Sequence, residues 1–358
     1  MSHTLFAPIT LRGLTVRNRL WVPPMCQYSA VGQDGVVTPW HLMHYGSFAR
    51  GGAGAVVIEA TGVTAEGRIS PEDLGLWNDS QRDALVPVVN LVHSLGAAIG
   101  IQLAHAGRKA STYRPWHKNK GTVPVAEGGW PTVAPSAVAF GGYAVPVELD
   151  AAGIDAVVEA WAAAARRAVE AGFDLVEIHA AHGYLVHEFL SPLSNQRTDE
   201  YGGPLENRAR LLLRLVDAVR AVIPDGMPLL VRLSATEWTD GGFDIDEACQ
   251  VVSWLGERGV DMVDVSSGGN VAGANIPVGP GYQTPLAATI KQTTGMPVSA
   301  VGKIDEPYQA EHVIATGQAD VVRVGRAFLR DANFAIRAAS VLRADVPLVP
   351  HQYERAYL

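Results

Sequence analysis

Apolar residues in this chain gather into short, nearly unbroken runs, with amphipathic stretches between them. The runs are Leu20–Pro24, Ala55–Val63, Ile99–His105, Leu175–His179, Leu229–Ala235, Met262–Ser267, Pro297–Val301 and Val321–Gly325. Such continuity is expected of strands buried on both faces. The intervening stretches carry a helical period. Between Asp79 and Leu95, the residues Leu85, Val88, Val89, Val92 and Leu95 share one stripe. Ala151–Ala171 is Ala-rich and stops at Gly172, and Leu205–Ile223 is rich in Leu, Val and Arg. Asp244-Ile-Asp-Glu247 has the form of a capping box and opens a helix that ends before Gly259.

One device recurs along the chain. In Glu170-Ala-Gly-Phe-Asp-Leu-Val, Glu257-Arg-Gly-Val-Asp-Met-Val and Ala315-Thr-Gly-Gln-Ala-Asp-Val-Val, a Gly ends a helix, an Asp marks the turn and a buried strand begins. Eight strands alternating with helices predict a (β/α)8 TIM barrel, one domain over residues 1–358. A doubly wound open sheet is the alternative. No Gly-x-Gly-x-x-Gly opens a helix after the first strand, which weighs against its dinucleotide-binding form. The one large interruption is a loop insertion after strand 3, Arg108–Val147, rich in Pro, Gly and Trp. A loop that long is expected to serve as a lid or substrate wall.

Composition narrows the function classes. With 48% hydrophobic and 18% charged residues the chain can bury a large core. A net charge of -8 disfavours nucleic acid and anionic membranes as partners. No apolar run nears the roughly 20 residues of a membrane span, and Met1-Ser-His-Thr does not open a signal peptide. Cys26 and Cys249 alone cannot make a disulfide framework or ligate an iron–sulfur cluster. A reducing cytoplasm is the expected location.

Active sites of such barrels sit at the C-terminal ends of the strands. The first strand ends in Pro23-Pro24-Met25-Cys26-Gln27-Tyr28, and the second carries Glu59-Ala60-Thr61. Gln102 and Arg232 interrupt otherwise apolar strands. An unpaired buried charge is costly, so they predict either a polar ligand in the barrel mouth or an internal salt bridge. Gly302, Gly325 and Arg326 follow the last two strands, where barrels often hold a phosphate on backbone amides. His179-Ala-Ala-His182-Gly-Tyr184-Leu185 puts two imidazoles and a phenol at one strand end. All three can donate a hydrogen bond and transfer a proton. Two His three apart are equally compatible with a polar helix face or half a metal site.

Taken together these segments resemble the flavin-dependent ene-reductases of the old yellow enzyme family, nearest its thermophilic-like class of NADPH dehydrogenases and xenobiotic reductases. The resemblance runs from about Leu5 to Arg355. It rests on Pro24-Met25-Cys26-Gln27-Tyr28, Gln102-Leu-Ala-His-Ala-Gly-Arg108-Lys109, the His179–Leu185 segment, and Ser194-Asn195-Gln-Arg197-Thr-Asp199-Glu-Tyr201-Gly202-Gly203 followed by Asn207-Arg208. It implies non-covalent FMN, with Pro23, Pro24, Met25, Cys26 and Ala60 along the ring. Gln102 is implied at the pyrimidine edge, Arg232 beside the N1–C2 carbonyl region, and Gly302, Gly325 and Arg326 at the phosphate. It further implies that His179 and His182 bind the oxygen of an enone or nitro substrate, that Tyr184 donates a proton and that Tyr28 positions the substrate. NADPH or NADH would supply hydride in a ping-pong cycle, in a homodimer or homotetramer.

Two departures accompany the resemblance. The family's C-terminal Tyr-Glu-Arg-Gly-Trp reads here Tyr353-Glu354-Arg355-Ala356-Tyr357, and Val278 stands where some xenobiotic reductases carry Trp. The tail 344–358, with Tyr353, Tyr357 and Leu358 as apolar groups, is expected to deliver Arg355 to a neighbouring subunit. Other readings are a dihydrouridine synthase, which calls for a basic face, and a dienoyl-CoA reductase, which calls for an iron–sulfur segment. A zinc hydrolase would need a third ligand beside His179 and His182, and no matching pattern is present; no resident metal is expected. A non-catalytic flavin carrier would have no use for Tyr184.

Overall fold

The computed structural model describes residues 4–357. Eight parallel strands form the central sheet. They are β1 Leu20–Trp21, β2 Ala55–Gly62, β3 Ala98–Ala104, β4 Leu175–Ala180, β5 Leu229–Ser234, β6 Met262–Ser266, β7 Val298–Ala300 and β8 Val321–Arg323. Each pairs with its sequence neighbour, and β8 returns to β1. The ring closes between β1 and β2, where Val22 bridges Val56 and the Val57 amide donates to the Val22 carbonyl at 3.1 Å. Closure settles the choice between barrel and open sheet. Almost every strand residue is buried, which is why the runs read as continuously apolar.

The lower end of the barrel is plugged. A hairpin, Ile9–Leu11 paired antiparallel with Leu14–Val16, packs Ile9, Leu11 and Val16 onto the opening residues of the strands, among them Ala55, Leu175, Leu230 and Met262. Only the C-terminal mouth remains for ligands.

The barrel interior is ionic rather than a purely aliphatic stack. Arg323, fully buried, lies 2.6 Å from Glu177 Oε2 and 3.2 Å from Asp264 Oδ2, distances of ion pairs rather than of aligned hydrogen bonds. Asp264 also meets Arg232 Nε at 2.9 Å and accepts from Ser299 Oγ at 2.7 Å. Gln102 Nε2 donates to Glu177 at 2.8 Å. Two guanidiniums balance two carboxylates, as burial of charge requires. Burial pushes Glu177 above the usual carboxylate range, against the pull of Arg323.

Helices wrap the outside. Ala151–Ala171 forms with the bounds read from sequence, capped by Asp150 and stopped by Gly172 at φ +91°. The helix expected over 205–223 runs as Leu205–Arg208 and Arg210–Arg220, joined through Ala209, whose amide donates to the Leu205 carbonyl at 2.8 Å and whose carbonyl accepts the Leu213 amide at 3.0 Å. There the buried Arg208 turns inward to the Leu190 carbonyl and Glu247. The helix Pro39–Arg50 has no aliphatic stripe to announce it; its buried face is His41, His44, Tyr45 and Phe48. After β3 the chain makes two turns, Gly107–Lys109 and Val125–Glu127, and a two-residue strand Val133–Ala134 that pairs in parallel with Val147–Glu148. The tail takes a 3-10 turn over His351–Ala356, where sequence offered no regular pattern. Leu358 lies outside the described residues.

Candidate active site

Strand β4 ends at Ala180, and Ala181–Tyr184 turn tightly into the helix Leu185–Leu190. His182 and Gly183 both lie in the left-handed region, at φ +61° and +72°. A Cβ on Gly183 would come within 2.3 Å of the Gly269 carbonyl, so only glycine fits there. This turn stacks three rings edge-on. His179 is 5.2 Å from His182 and 5.0 Å from Tyr184, centre to centre, each near perpendicular.

Tautomers follow from the partners. His179 Nδ1 accepts the Ala181 amide at 3.2 Å, so in the neutral ring Nε2 carries the proton and is a donor. His182 Nε2 meets Ser266 Oγ at 2.7 Å. Burial drives both imidazoles well below their ordinary range, with Arg232 adding to it, so both are neutral at pH 7. Burial pushes the Tyr184 phenol well up, which keeps its proton in place. Tyr28 is raised for the same reason.

Beside Tyr184 pack Cys26 and Tyr28, against Ala60, Ile69, Ala104, Ala106 and Ala110. Burial raises the Cys26 thiol, so it is neutral and a poor nucleophile. The segment is held from behind by Glu59, which accepts the Gln27 amide at 2.9 Å and the Tyr45 hydroxyl at 2.5 Å. Burial lifts Glu59 to about 8.

Across the mouth lies a cavity of about 240 Å³, lined by Arg232, Gly302, Lys303, Gly325 and Arg326 among others. The donor set there suits FMN. The amides of Gly302, Lys303 and Gly325 have no acceptor among the described hydrogen bonds, and Arg326 and Lys303 have no ion-pair partner there. Amides and cations without acceptors are what a phosphate needs. A Cβ on Gly302, itself at φ +124°, would fall 2.9 Å from Gln283 Nε2 and fill that cradle. Pro23 and Met25 lie against Gly325: a Cβ there would be 3.6 and 3.4 Å from them. Arg232 spends Nε on Asp264 and keeps its other nitrogens free of protein acceptors. The internal salt bridge expected from sequence is therefore present, and the remaining guanidinium nitrogens are left for a polar ligand. Gln102 uses its amide nitrogen on Glu177 and leaves its carbonyl oxygen to accept.

The fold thus gathers His179, His182, Tyr184, Tyr28, Cys26 and Ala60 on one side of the mouth, and Arg232, Gly302, Gly325 and Arg326 on the other. Val278 lines the cavity rim. Arg355 is exposed in the tail and makes no described contact with these residues. Sequence reasoning gave no role to Ser266, which fixes His182, or to Glu59. Nor did it assign Lys109, whose ammonium donates to the carbonyls of His182 and Gly269, both at 2.8 Å. Lys109 belongs to the Gln102–Lys109 segment; Ser266 closes an apolar strand and carries no signal.

Residues 4–345 match the family described as NADH:flavin oxidoreductase / NADH oxidase. An NADPH dehydrogenase of Bacillus subtilis (strain 168) is 46% identical over all of both chains. One of Geobacillus thermodenitrificans (strain NG80-2) is 47% identical over 100% of this chain and 99% of that one. Among solved structures, an old yellow enzyme homologue from Zymomonas mobilis superposes with a TM-score of 0.80 at 30% identity, covering 96% of this chain and 94% of that one. Morphinone reductase gives a TM-score of 0.79 at 29% identity, covering 97% and 91%.

Proposed function

The chain belongs to the NADH:flavin oxidoreductase / NADH oxidase family, and from that premise we propose that it reduces the C=C bond of α,β-unsaturated carbonyl compounds, and of nitroalkenes. It is an FMN-dependent oxidoreductase that draws on a nicotinamide donor. FMN, when bound, would supply the hydride-transfer chemistry between the nicotinamide donor and the substrate β-carbon.

The observation that carries the substrate assignment is the ring cluster of His179, His182 and Tyr184. Nε2–H of His179 donates to the substrate oxygen, with His182 beside it. These neutral imidazoles stabilise the enolate charge that develops there. Tyr184, held protonated by burial, gives its proton to the α-carbon. Tyr28 and Cys26 form the wall beside it, and Arg232, with free nitrogens at the mouth, holds the pyrimidine edge of the ring where negative charge collects. Gln102 accepts at the same edge. Gly302, Gly325 and Arg326 hold the phosphate, and the 108–147 segment walls the substrate side.

We assign the whole chain to one catalytic unit and place it in the cytoplasm, a reading supported by two cysteines that are both free. Among the described residues no helix is long and apolar enough to cross a membrane. A second copy of the chain supplies Arg355 to this pocket, in a homodimer or homotetramer. Supporting this are the exposed Tyr353 and Tyr357, ready to be covered, and Arg50, which already stacks on Tyr353 at 5.2 Å.

The test is spectroscopic. Acid should release one FMN per chain, NADPH should bleach the protein anaerobically, and cyclohexenone should restore the colour. Bleaching without recovery by any enone or nitroalkene would remove the substrate assignment while leaving the oxidoreductase standing.

A further inference from the structure

Lys109 is half-buried next to the proton donor and has no carboxylate within ion-pair distance among the described residues. It sits at the end of the turn Gly107–Lys109, where Gly107 at φ +57° packs so closely on Glu188 that a Cβ would be 2.3 Å from its carboxylate. That turn sends the Lys109 side chain across the mouth. Two of its three ammonium hydrogens go to the carbonyls of His182 and Gly269. The ammonium lies 5.1 Å above the centre of the Tyr184 ring and 4.5 Å from that of Phe140. Carbonyl dipoles and ring faces are the surroundings that keep a cation charged without neutralising it.

We propose that the Lys109 ammonium is the electrostatic partner of Tyr184, stabilising the tyrosinate that forms when Tyr184 protonates the substrate. The inference rests on the proposed role of Tyr184 as proton donor. In that step the Tyr184 O–H bond breaks and a C–H bond forms at the α-carbon, while the β-carbon gains the hydride that FMN supplies. The O–H electron pair stays on the phenol oxygen as tyrosinate, and water later restores the proton. Burial makes that anion costly: the phenol is pushed well above its ordinary range. A fixed cation over the ring face, together with Arg232, which already pulls the phenol down, offsets that cost and needs no movement during the reaction. Sharing of its two carbonyls with the His182 turn also ties the cation's position to that of the oxygen-binding imidazoles.

The charge on Lys109 is itself conditional. Burial lowers it to about 8, Glu188 opposing the shift and Arg108 adding to it. The other titratable groups facing it are His179 and His182, neutral throughout, Tyr184, and Glu188, lifted by burial to about 8. The cation therefore fades as pH rises through about 8.

The experiment compares Lys109→Gln, which keeps donors for the two carbonyls but loses charge, with Lys109→Arg, which keeps charge. Stopped-flow would follow both half-reactions of the FMN-loaded enzyme with NADPH and cyclohexenone. Lys109→Gln should slow the enone half-reaction at pH 7 by roughly tenfold or more, from a partial charge at this range in a low-dielectric site. Reduction by NADPH should be unchanged, and Lys109→Arg should recover most of the loss. The wild-type enone rate should fall as pH rises through about 8, and that fall should vanish in Lys109→Gln. Adding Lys109→Gln to Tyr184→Phe should cost nothing further. If Tyr184→Phe is slow but Lys109→Gln is not, or the two losses multiply, the electrostatic role is refuted. If Tyr184→Phe itself reacts at full rate, the failure lies in the donor assignment beneath it.

Discussion

Replacing Arg323 with Met removes the central cation of the barrel interior at nearly constant volume. Asp264 would keep Arg232 Nε at 2.9 Å and Ser299 Oγ at 2.7 Å. Glu177 would keep only Gln102 Nε2 at 2.8 Å, and the cluster would pass from neutral to a net negative charge. Breaking a buried pair on one side typically costs about 3–5 kcal/mol. The sign of the pH dependence follows from the carboxylate left behind. Its folded pKa, already raised by burial, rises further above the unfolded value. Stability is then lost as pH climbs from the unfolded value through the folded one, and regained as pH falls. Each unit in that window is worth about 1.36 kcal/mol, so two to three units of acidification should return most of the deficit. Urea unfolding of the FMN-loaded protein, followed by far-UV circular dichroism at pH 8 and pH 5.5, measures this. We expect a large loss at pH 8 that shrinks at pH 5.5. A loss that is equal at both pH values, or absent, would refute the claim that Arg323 keeps Glu177 ionised in the barrel.

Further outcomes concern the mouth. Tyr184→Phe should slow reoxidation by enones by roughly 100- to 10,000-fold and leave reduction by NADPH intact, as stopped-flow would register. Gly302→Ala should weaken FMN retention, because a Cβ at φ +124° crowds Gln283; equilibrium dialysis against FMN reads the change, and unchanged affinity would move the phosphate elsewhere. Cys26→Ala should shift the flavin midpoint potential with turnover retained, since the thiol is neutral and packed at the Ala60 wall; dye-equilibration titration is the measurement, and loss of all activity with FMN still bound would indicate covalent chemistry instead. Truncation after Pro350 should raise KM for enones and loosen self-association in sedimentation; if neither moves, Arg355 has no part in the pocket.

The barrel was legible because doubly buried strands write themselves as apolar runs. The runs at Leu175 and Leu229 overlap β4 and β5 to within a residue at each end. Helix Pro39–Arg50 was not legible, since it buries His41, His44 and Tyr45, residues that read as polar in a hydropathy pattern. The inward reach of Arg208 to Glu247 was not legible either, because it joins residues far apart in sequence. In the site, His179, His182 and Tyr184 were visible because they share one turn. Lys109 and Ser266 were not, because their meaning comes from the loops that close over the same turn. Gln102 and Arg232 stood out only as polar interruptions; of the two alternatives sequence offered, an internal salt bridge or a polar ligand, Arg232 forms the salt bridge to Asp264 and keeps its other nitrogens free of protein acceptors.

Three residues at the mouth, Tyr28, His182 and Lys303, hold backbone angles that side-chain-bearing residues avoid, at φ +48°, +61° and +49°. Conformations of that kind cost on the order of 1–3 kcal/mol each. Glycine or asparagine would occupy the same turns at less expense. Selection for heat resistance alone would therefore drift toward those residues, and the survivors would be sturdier proteins with a blank mouth. A thermostable variant drawn from a random library should be screened for turnover at each round, because here robustness and chemistry compete for the same three peptide units.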